Sequence, residues 1–170
     1  MSKDSLQEDP FDLKRFLKAQ KHSYQRAYDE IKNGKKQSCW MWYIFPQLDG
    51  LGSSYSAEYY GIKSIKEAIA YINHPILGKR LIDICNALKP HSDKTSRSIF
   101  GYPDDLKLCS CLTLFAGLPN ADPIFQELID IFCKGKACEF TSKKLAHERL
   151  LSSSPKTHAN EEEEEEENEK

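Results

Sequence analysis

Apolar residues recur every three or four positions along most of the chain, which is the spacing of one face of an α-helix. The first series begins after Asp9-Pro10, a capping residue followed by proline, and ends at Asn33-Gly34. Its members are Leu13, Phe16, Leu17, Gln20, Tyr24, Ala27, Tyr28 and Ile31. The pattern predicts one long amphipathic helix over this stretch.

The later helices carry start and stop signals. Ser64 with Glu67 three residues on forms a capping box, and His74-Pro75 ends the helix that it opens. Pro75 opens the next helix, which Lys89-Pro90 closes. Further helices are predicted from Asp93 to Phe100, from Pro103 to Gly117, from Asp122 to Gly135 and from Thr141 to Leu151. The one that starts at Pro103 is apolar nearly all round after Lys107, so we place it centrally.

Residues 39–54 break the helical pattern. An aromatic run, Trp40-Met41-Trp42-Tyr43-Ile44-Phe45, is interrupted by Pro46 and followed by a turn-rich loop, Gly50-Leu51-Gly52-Ser53-Ser54. Local propensity would allow a strand, but a lone strand would have no partner in this chain. We therefore expect a short helix or a buried extended segment within an all-α domain.

The chain's 170 residues fit one domain. We expect disordered residues 1–8, an all-α domain over 9–151 and a disordered acidic tail over 152–170. Residues 151–170 hold eight Glu and two Lys, and a run of like charges repels itself. The tail would act as a solubilising segment, as a lid over a basic site, or as a docking segment for a basic partner such as histones.

The remaining 150 residues hold 22 basic and 18 acidic side chains, too small an excess to predict nucleic-acid binding. No stretch approaches ~18 uncharged apolar residues, so no membrane span is expected. The first eight residues lack an apolar segment, so we expect no signal peptide and a cytoplasmic or nuclear location. The six cysteines, Cys39, Cys85, Cys109, Cys111, Cys133 and Cys138, are then expected as free thiols. Their spacings match zinc-binding pairs poorly, and we expect no metal and no cofactor.

The aromatic segment is the best candidate for a ligand site. Two tryptophans two positions apart, Trp40 and Trp42, cannot share one helical face. Aromatic walls, the Gln47 amide and the glycine-flanked loop after it would bind a planar ring and a phosphate. The alternative is an aromatic core with a tight turn behind it. Further ligand-binding candidates are Tyr60 on the wall of the pocket, with Arg80 and Lys107 for the anion.

Two carboxylates are candidates for acid–base chemistry. Glu58 begins the helical region after the loop, and Asp105 lies in the first turn of the central helix. The competing interpretations are a solvent-facing helix residue for Glu58 and a favourable helix-terminus charge for Asp105. Lys107 is one turn from Asp104 and is expected to pair with it.

Several segments together resemble the domain-of-unknown-function family 1810, over about residues 9–150. They are Asp9-Pro10-Phe11-Asp12-Leu13-Lys14-Arg15-Phe16, the aromatic run with Pro46-Gln47-Leu48, Gly50 to Ser54, Ala68 to Gly78, and Ile99 to Leu108. The resemblance implies a compact, mainly α-helical single domain and no established activity. The family commonly has His where this chain has Cys39, and Ser-Ser-Met where it has Ser110-Cys111-Leu112.

A second resemblance is one of layout. Ser56-Ala57-Glu58-Tyr59-Tyr60, then a helix and His74 to Arg80, is similar to the YbiA-like N-glycosidases associated with ADP-ribose, although Tyr59 stands where they have His. Two hypotheses follow. One is a binder or hydrolase of a small nucleotide-like ligand of ADP-ribose or N-glycoside type. The other is a non-catalytic interaction module whose acidic tail recruits a basic protein.

Overall fold

The chain between residues 8 and 153, the part that this computed structural model describes, folds as one compact helical domain. This part contains ten α-helices and no β-strand. The helices are α1 (Lys14–Gln20), α2 (Tyr24–Lys32), α3 (Met41–Ile44), α4 (Tyr55–Tyr60), α5 (Ile65–Asn73), α6 (Leu77–Leu88), α7 (Ser96–Phe100), α8 (Asp104–Ala116), α9 (Pro123–Phe132) and α10 (Glu139–Ser153), with a 3-10 turn at Lys89–His91. The predicted all-α class is confirmed, whereas the predicted terminal segments lie almost wholly outside residues 8–153.

Helix α8 lies at the centre of the fold, as its apolar sequence predicts. It contacts α5, α7, α9 and α10. Its buried residues face several directions: Asp105, Leu108, Ser110, Cys111, Leu112, Thr113, Leu114 and Phe115. A helix buried on most of its circumference gives a rigid platform for any side chain that does face outward.

The predicted first helix is two helices in the structure. The Asp9 carboxylate accepts from the backbone N–H groups of Leu13 and Lys14, so the cap is formed but α1 begins at Lys14. A turn over residues 21–23 then separates α1 from α2. The Gln20 amide donates to the Tyr43 carbonyl, and the Tyr43 hydroxyl donates to Ser23 Oγ. These bonds tie both sides of the turn to α3, which apolar spacing alone does not reveal.

The capping box of α5 is confirmed, with one change. Ser64 Oγ accepts from the Glu67 backbone N–H at 3.1 Å. Glu67 Oε1 accepts from the Lys63 backbone N–H, while its Oε2 pairs with Arg15 Nη2 at 2.6 Å. Glu67 is therefore a buried ion-pair partner as well as a helix cap, and the pair fastens α1 to α5.

The aromatic segment combines the two conformations left open by the sequence. Residues Met41–Ile44 form the short helix α3, and the chain then runs extended. Leu48 and Ile62 form a single parallel bridge, in which the Ile62 N–H donates to the Gln47 carbonyl and the Asp49 N–H donates to the Ile62 carbonyl. The bridge fixes the backbone of Gln47 against the chain that follows α4.

The cysteines correct one expectation. Cys109 of α8 and Cys133, just after α9, form a disulfide with their Cα atoms 6.0 Å apart. The helices α8 and α9 pack side by side, which brings the two residues to bonding distance although they lie 24 apart in sequence. The expectation of six free thiols is wrong for this pair; Cys39, Cys85, Cys111 and Cys138 are free.

Helix α10 closes the domain through two polar contacts. The Glu148 carboxylate accepts from the Ile65 backbone N–H at 2.8 Å, so α10 caps the first turn of α5. The Arg149 guanidinium donates to the Gly117 carbonyl at the end of α8. Among residues 8–153, no helix is long and apolar enough to cross a membrane.

Candidate functional site

A cleft of about 360 Å³ lies between the segment after α3 and the first half of α8. It is lined by Trp42, Gln47, Leu51, Gly52, Pro103, Leu106, Lys107 and Ser110, and is called the Trp42 cleft below. Lys107 lies four residues after Pro103, and Ser110 lies four residues after Leu106, so the lining residues share one face of this otherwise buried helix. Three of the candidates from the sequence, Trp42, Gln47 and Lys107, meet here.

The two tryptophans point in different directions, as their spacing requires. Trp40 is 1% exposed, packs against Phe45 and Phe100, and donates its indole N–H to Glu30 Oε1 at 2.9 Å. Trp42 is half-buried and faces the cleft. The structure therefore assigns Trp40 to the core, where its indole N–H is satisfied, and leaves Trp42 as the aromatic wall.

Gln47 is a largely buried polar residue of the cleft. The residue is only 7% exposed, and its backbone carbonyl is bonded to the Ile62 N–H. Its side-chain amide makes no hydrogen bond within residues 8–153, and it is not among the polar side-chain groups there that are buried without a partner. The amide therefore keeps contact with the solvent of the cleft that it lines. It is available to hydrogen-bond to a molecule that enters the cleft.

The charges beside the cleft leave one positive charge in excess. Asp104 accepts from Lys36 Nζ through one oxygen and from Lys107 Nζ through the other, both at 2.9 Å. Burial opposes ionisation of Asp104, but the two ammonium groups outweigh it and lower the pKa of this carboxyl. Lys107 Nζ also lies 4.6 Å from the centroid of the Trp42 ring. Two ammonium groups against one carboxylate suit an anionic ligand.

Glu58 and Tyr60 lie outside the lining of the Trp42 cleft. Glu58 is exposed and lines a separate depression with Arg15, whose guanidinium is already bonded to Glu67 and to backbone carbonyls. Tyr60 packs between Phe16 and Tyr43, and burial raises the pKa of its phenol.

Arg80 and Asp105 also face elsewhere. Arg80 lies over the Tyr24 ring and donates to Gln20 Oε1 at 3.3 Å, which holds α6 to α1 and α2. Asp105 is next to Leu106 in sequence but on the buried side of α8, where its Oδ2 accepts from Arg97 at 3.3 Å. Its Oδ1 is buried without a hydrogen-bond partner in the described part of the chain.

From the sequence alone, Lys36, Asp104 and Ser110 were not expected beside the ligand-binding candidates. Lys36 had the signature of a basic residue at a helix C-terminus, and Asp104 that of an acid in a first helical turn. Ser110 appeared as one polar residue in an apolar helix. The three- and four-residue spacing of Pro103, Lys107 and Ser110 was the available signal, because it marks a shared face of α8.

A larger depression of about 570 Å³ lies between α5, α6 and the connection from α8 to α9. The one ionisable residue in its lining is Asp122, whose carboxylate is occupied by the Ile124 backbone N–H at 2.9 Å. This depression offers apolar surface without a free charged group, which is why the Trp42 cleft is the stronger candidate. Within residues 8–153, no group of three or more His, Cys, Asp or Glu is arranged to hold a metal ion.

Comparison with known proteins agrees with the fold. Residues 10–145 match a family described as "Protein of unknown function (DUF1810)". The chain is also similar to a solved structure, the conserved hypothetical protein Rv1873 from Mycobacterium tuberculosis. The two share 45% sequence identity with a TM-score of 0.79, over 81% of this chain and 99% of that one. No curated protein sequence matches this chain.

Proposed function

Because the chain belongs to the DUF1810 family, whose function is unknown, we propose its function from the cleft alone: it binds a small ligand with a planar ring and an anionic group, of nucleotide type. The ligand sits in the Trp42 cleft. Its ring stacks on Trp42, its polar ring edge pairs with the Gln47 amide, and its anion lies near Lys107.

The unpartnered Gln47 amide carries this proposal. A carboxamide offers one acceptor and two donors, which is the pattern that the polar edge of a nucleobase complements. A ligand whose polar edge lies against Gln47 pairs with both the carbonyl and the NH₂ group of this amide.

The other two contacts add affinity for a ring and for charge. Trp42 is half-buried, so its position is fixed while part of the indole stays accessible. The Lys107 ammonium lies over that indole and is shared with Asp104, so an incoming anion competes for it with one carboxylate. The second ammonium on Asp104, that of Lys36, makes this exchange easier because Asp104 keeps a cationic partner.

A thermal-shift screen of the full chain against nucleotides, ADP-ribose and nucleosides tests the proposal. A ligand at ~100 times its dissociation constant adds about 2.7 kcal/mol to the free energy of unfolding, which raises Tm by several degrees for a domain of this size. We expect a nucleotide to shift Tm more than its nucleoside, because the nucleoside lacks the anion.

Variants locate the site. Trp42→Ala, Gln47→Leu and Lys107→Met should each reduce the shift, whereas Arg80→Met, which changes a cation outside the lining of the cleft, should keep it. A panel without any shift would overturn the proposal. A shift that survives both Trp42→Ala and Lys107→Met would place the ligand elsewhere on the chain.

A hydrolase of N-glycosides is the finer form of this proposal. It needs a carboxylate to stabilise an oxocarbenium-like centre or to activate water. Asp105 and Glu58 remain the candidates, and each would have to reach the ligand from outside the lining of the cleft. Release of free base from a bound nucleoside or ADP-ribose, lost in Asp105→Asn or Glu58→Gln with binding retained, would support hydrolysis; binding without release would leave the chain as a binder.

The interaction module is the second candidate, and the acidic sequence favours it. Seven consecutive glutamates, Glu161 to Glu167, would attract a basic protein. A pull-down with the full chain should then retain core histones at physiological salt, and a chain ending at Ser153 should not. Equal retention by both forms would argue against the tail as the docking segment.

A further inference from the structure

The depression beside Glu58 is a groove of about 510 Å³ between the segment before α1, the end of α4 and the start of α5. Its aromatic walls are Phe11, with Pro10 next to it, and Tyr59, and it is called the Tyr59 groove below. None of the residues that line the Trp42 cleft lines this groove. It is therefore a surface separate from the proposed ligand site.

One buried guanidinium fixes both walls of the groove. Arg15 donates to the backbone carbonyl of Phe11 at 2.7 Å and to that of Tyr59 at 2.8 Å. It also pairs with Glu67 at 2.6 Å, and both side chains of this pair are buried. Walls that are already held in place lose little conformational entropy when a partner binds between them. The groove is thus preformed on the core of the domain.

Helix α4 extends the aromatic wall onto the surface of the domain. Tyr55, Glu58 and Tyr59 lie on one face of this helix, at three- and four-residue steps. The rings of Tyr55 and Tyr59 are stacked, with their centroids 5.6 Å apart and their planes 10° apart. Tyr55 is 77% exposed, so most of its ring is accessible to a partner. Exposed tyrosines clustered beside a groove are typical of protein interfaces.

Two carboxylates of the groove are free to meet a cation. Asp12 and Glu58 are exposed, and within residues 8–153 neither side chain forms an ion pair or a hydrogen bond. The cations of the lining are engaged, because Arg15 pairs with Glu67 and the Lys63 ammonium donates to the Glu58 carbonyl at 2.7 Å. The charged residues next to the lining, in sequence or by contact, contain more acids than bases: Glu8, Asp9, Lys14, Asp49, Lys66 and Glu148.

We propose that the Tyr59 groove binds an extended basic segment of a partner protein, in which arginine stands next to proline or another apolar residue. The apolar residue packs between Phe11 and Tyr59, and the guanidinium lies on the Tyr55 ring within reach of Glu58. A planar guanidinium stacks on an aromatic ring and also hydrogen-bonds to a carboxylate, which suits this pair of side chains. The binding depends neither on a ligand in the Trp42 cleft nor on the acidic tail.

Calorimetric titration of the full chain with a synthetic peptide tests the proposal. The probe is acetyl-Pro-Arg-Pro-Pro-Arg-Pro-amide, and the control peptide has citrulline in place of both arginines, which keeps the shape and removes the charge. We expect the arginine peptide to bind about tenfold more tightly, since its guanidinium groups gain cation–π and ion-pair contacts. The acidic tail is present in every variant, so a difference between variants reports on the groove.

Two variants of α4 locate the site. Tyr55→Ala and Glu58→Gln change exposed side chains, so neither should disturb the fold. Each should weaken binding of the arginine peptide by about two- to fivefold, the range for one exposed cation–π contact or one exposed ion pair. Tyr55→Phe, which keeps the ring, and Asp130→Asn, which removes an exposed carboxylate from α9, should bind the peptide as the wild type does.

Three results of the titration would overturn the proposal: no binding of the arginine peptide, equal binding of the two peptides, or equal binding by the wild type, Tyr55→Ala and Glu58→Gln. The last would place the peptide elsewhere on the chain, the acidic tail included. Sedimentation of the free chain supplies a fourth: a dimer that dissociates in Tyr55→Ala would mean that a second copy of this chain occupies the groove. None of these measurements uses a nucleotide, so this proposal and the proposed function fail separately.

Discussion

Glu30 shows how a single side chain decides the role of a tryptophan. Its carboxylate accepts from Trp40 Nε1, from Ser38 Oγ and from the backbone N–H groups of Gln37 and Ser38. The indole N–H of Trp40 is thereby satisfied at the boundary of the core. Trp42, two residues on, has no such acceptor among residues 8–153 and lies in the cleft, with the Lys107 ammonium over its ring.

Glu30→Gln should therefore make the free energy of unfolding depend less on pH below about 4.5. Burial opposes ionisation, but the four hydrogen bonds lower the pKa of Glu30 from 4.5 to about 2. A depressed folded-state pKa stabilises the protein above the unfolded value, and this contribution is lost as pH falls from about 4.5 towards about 2. Urea unfolding should show a loss on the order of 1 kcal/mol in Glu30→Gln at pH 7, allowing for solvent around a half-buried group, and a smaller loss at pH 3.

Asp29→Asn is the matched control, because it removes a carboxylate from the exposed side of the same helix. It should change the pH dependence less than Glu30→Gln does. If the two variants follow the same acid profile, the hydrogen bonds around Glu30 do not hold its charge in the folded state.

The sequence predicted the residue types of the site better than their grouping. Trp42, Gln47 and Lys107 were candidates and do meet in one cleft. Trp40 and Tyr60 are equally aromatic in sequence, and what separates them from Trp42 is a set of partners, Glu30 for one and Phe16 with Tyr43 for the other, that only the fold supplies. Spacing reveals that two side chains diverge but not which of them is buried.

At the scale of elements, the Arg15–Glu67 pair fastens α1 to the start of α5. The two side chains are 6% and 3% exposed. Arg15 also donates to the carbonyls of Phe11, Asp12, Tyr59 and Gly61, so one guanidinium binds three stretches of the chain: residues 11–12, residues 59–61 and Glu67.

Glu67→Leu should destabilise the domain strongly, because it leaves the Arg15 cation buried without a counter-charge. The expected loss in the free energy of urea unfolding is about 3–5 kcal/mol. Asp83→Ala, which breaks the Lys79–Asp83 pair whose side chains are 73% and 44% exposed, should change it by less than about 1 kcal/mol. Similar losses in both variants would mean that burial does not determine how strongly these ion pairs stabilise the domain.

Element starts and stops were the most predictable part of the fold. Ser64, Asp122 and the Asp9 carboxylate all cap helices, because a cap depends on residues only two to five positions away. The break of the first helix at residues 21–23 was not predictable in the same way. It accompanies contacts of Gln20 and Ser23 with Tyr43, which lies at least twenty residues further along the chain.

At the scale of the whole molecule, the disulfide is the feature that the sequence left hidden. Cys109 is one of two cysteines in an apolar helix, and nothing in its local sequence distinguishes it from Cys111, which is fully buried and free. Whether Cys109 or Cys111 pairs with Cys133 depends on which side of α8 packs against the end of α9. The expected cellular location, which makes free thiols the default, does not determine which cysteines meet in the fold.

Reduction should lower the stability of the chain. Closing a loop between residues 24 apart stabilises a fold by about 3 kcal/mol, mainly through the unfolded state. Thermal unfolding with and without dithiothreitol should therefore differ by several degrees in the wild type and not at all in Cys109→Ser/Cys133→Ser. A wild-type Tm that is the same with and without the reductant would show that the disulfide does not contribute to stability.

The contact between Glu148 and Ile65 sets where the chain can be shortened. The region that matches the family ends at residue 145, three positions before the carboxylate that caps α5. A fragment cut at the edge of the sequence similarity would thus keep nearly all of the aligned residues and still expose the first turn of a core helix. The boundary of the folding unit lies beyond the boundary of the family, and the shortest stable form of this domain should include Glu148 and Arg149.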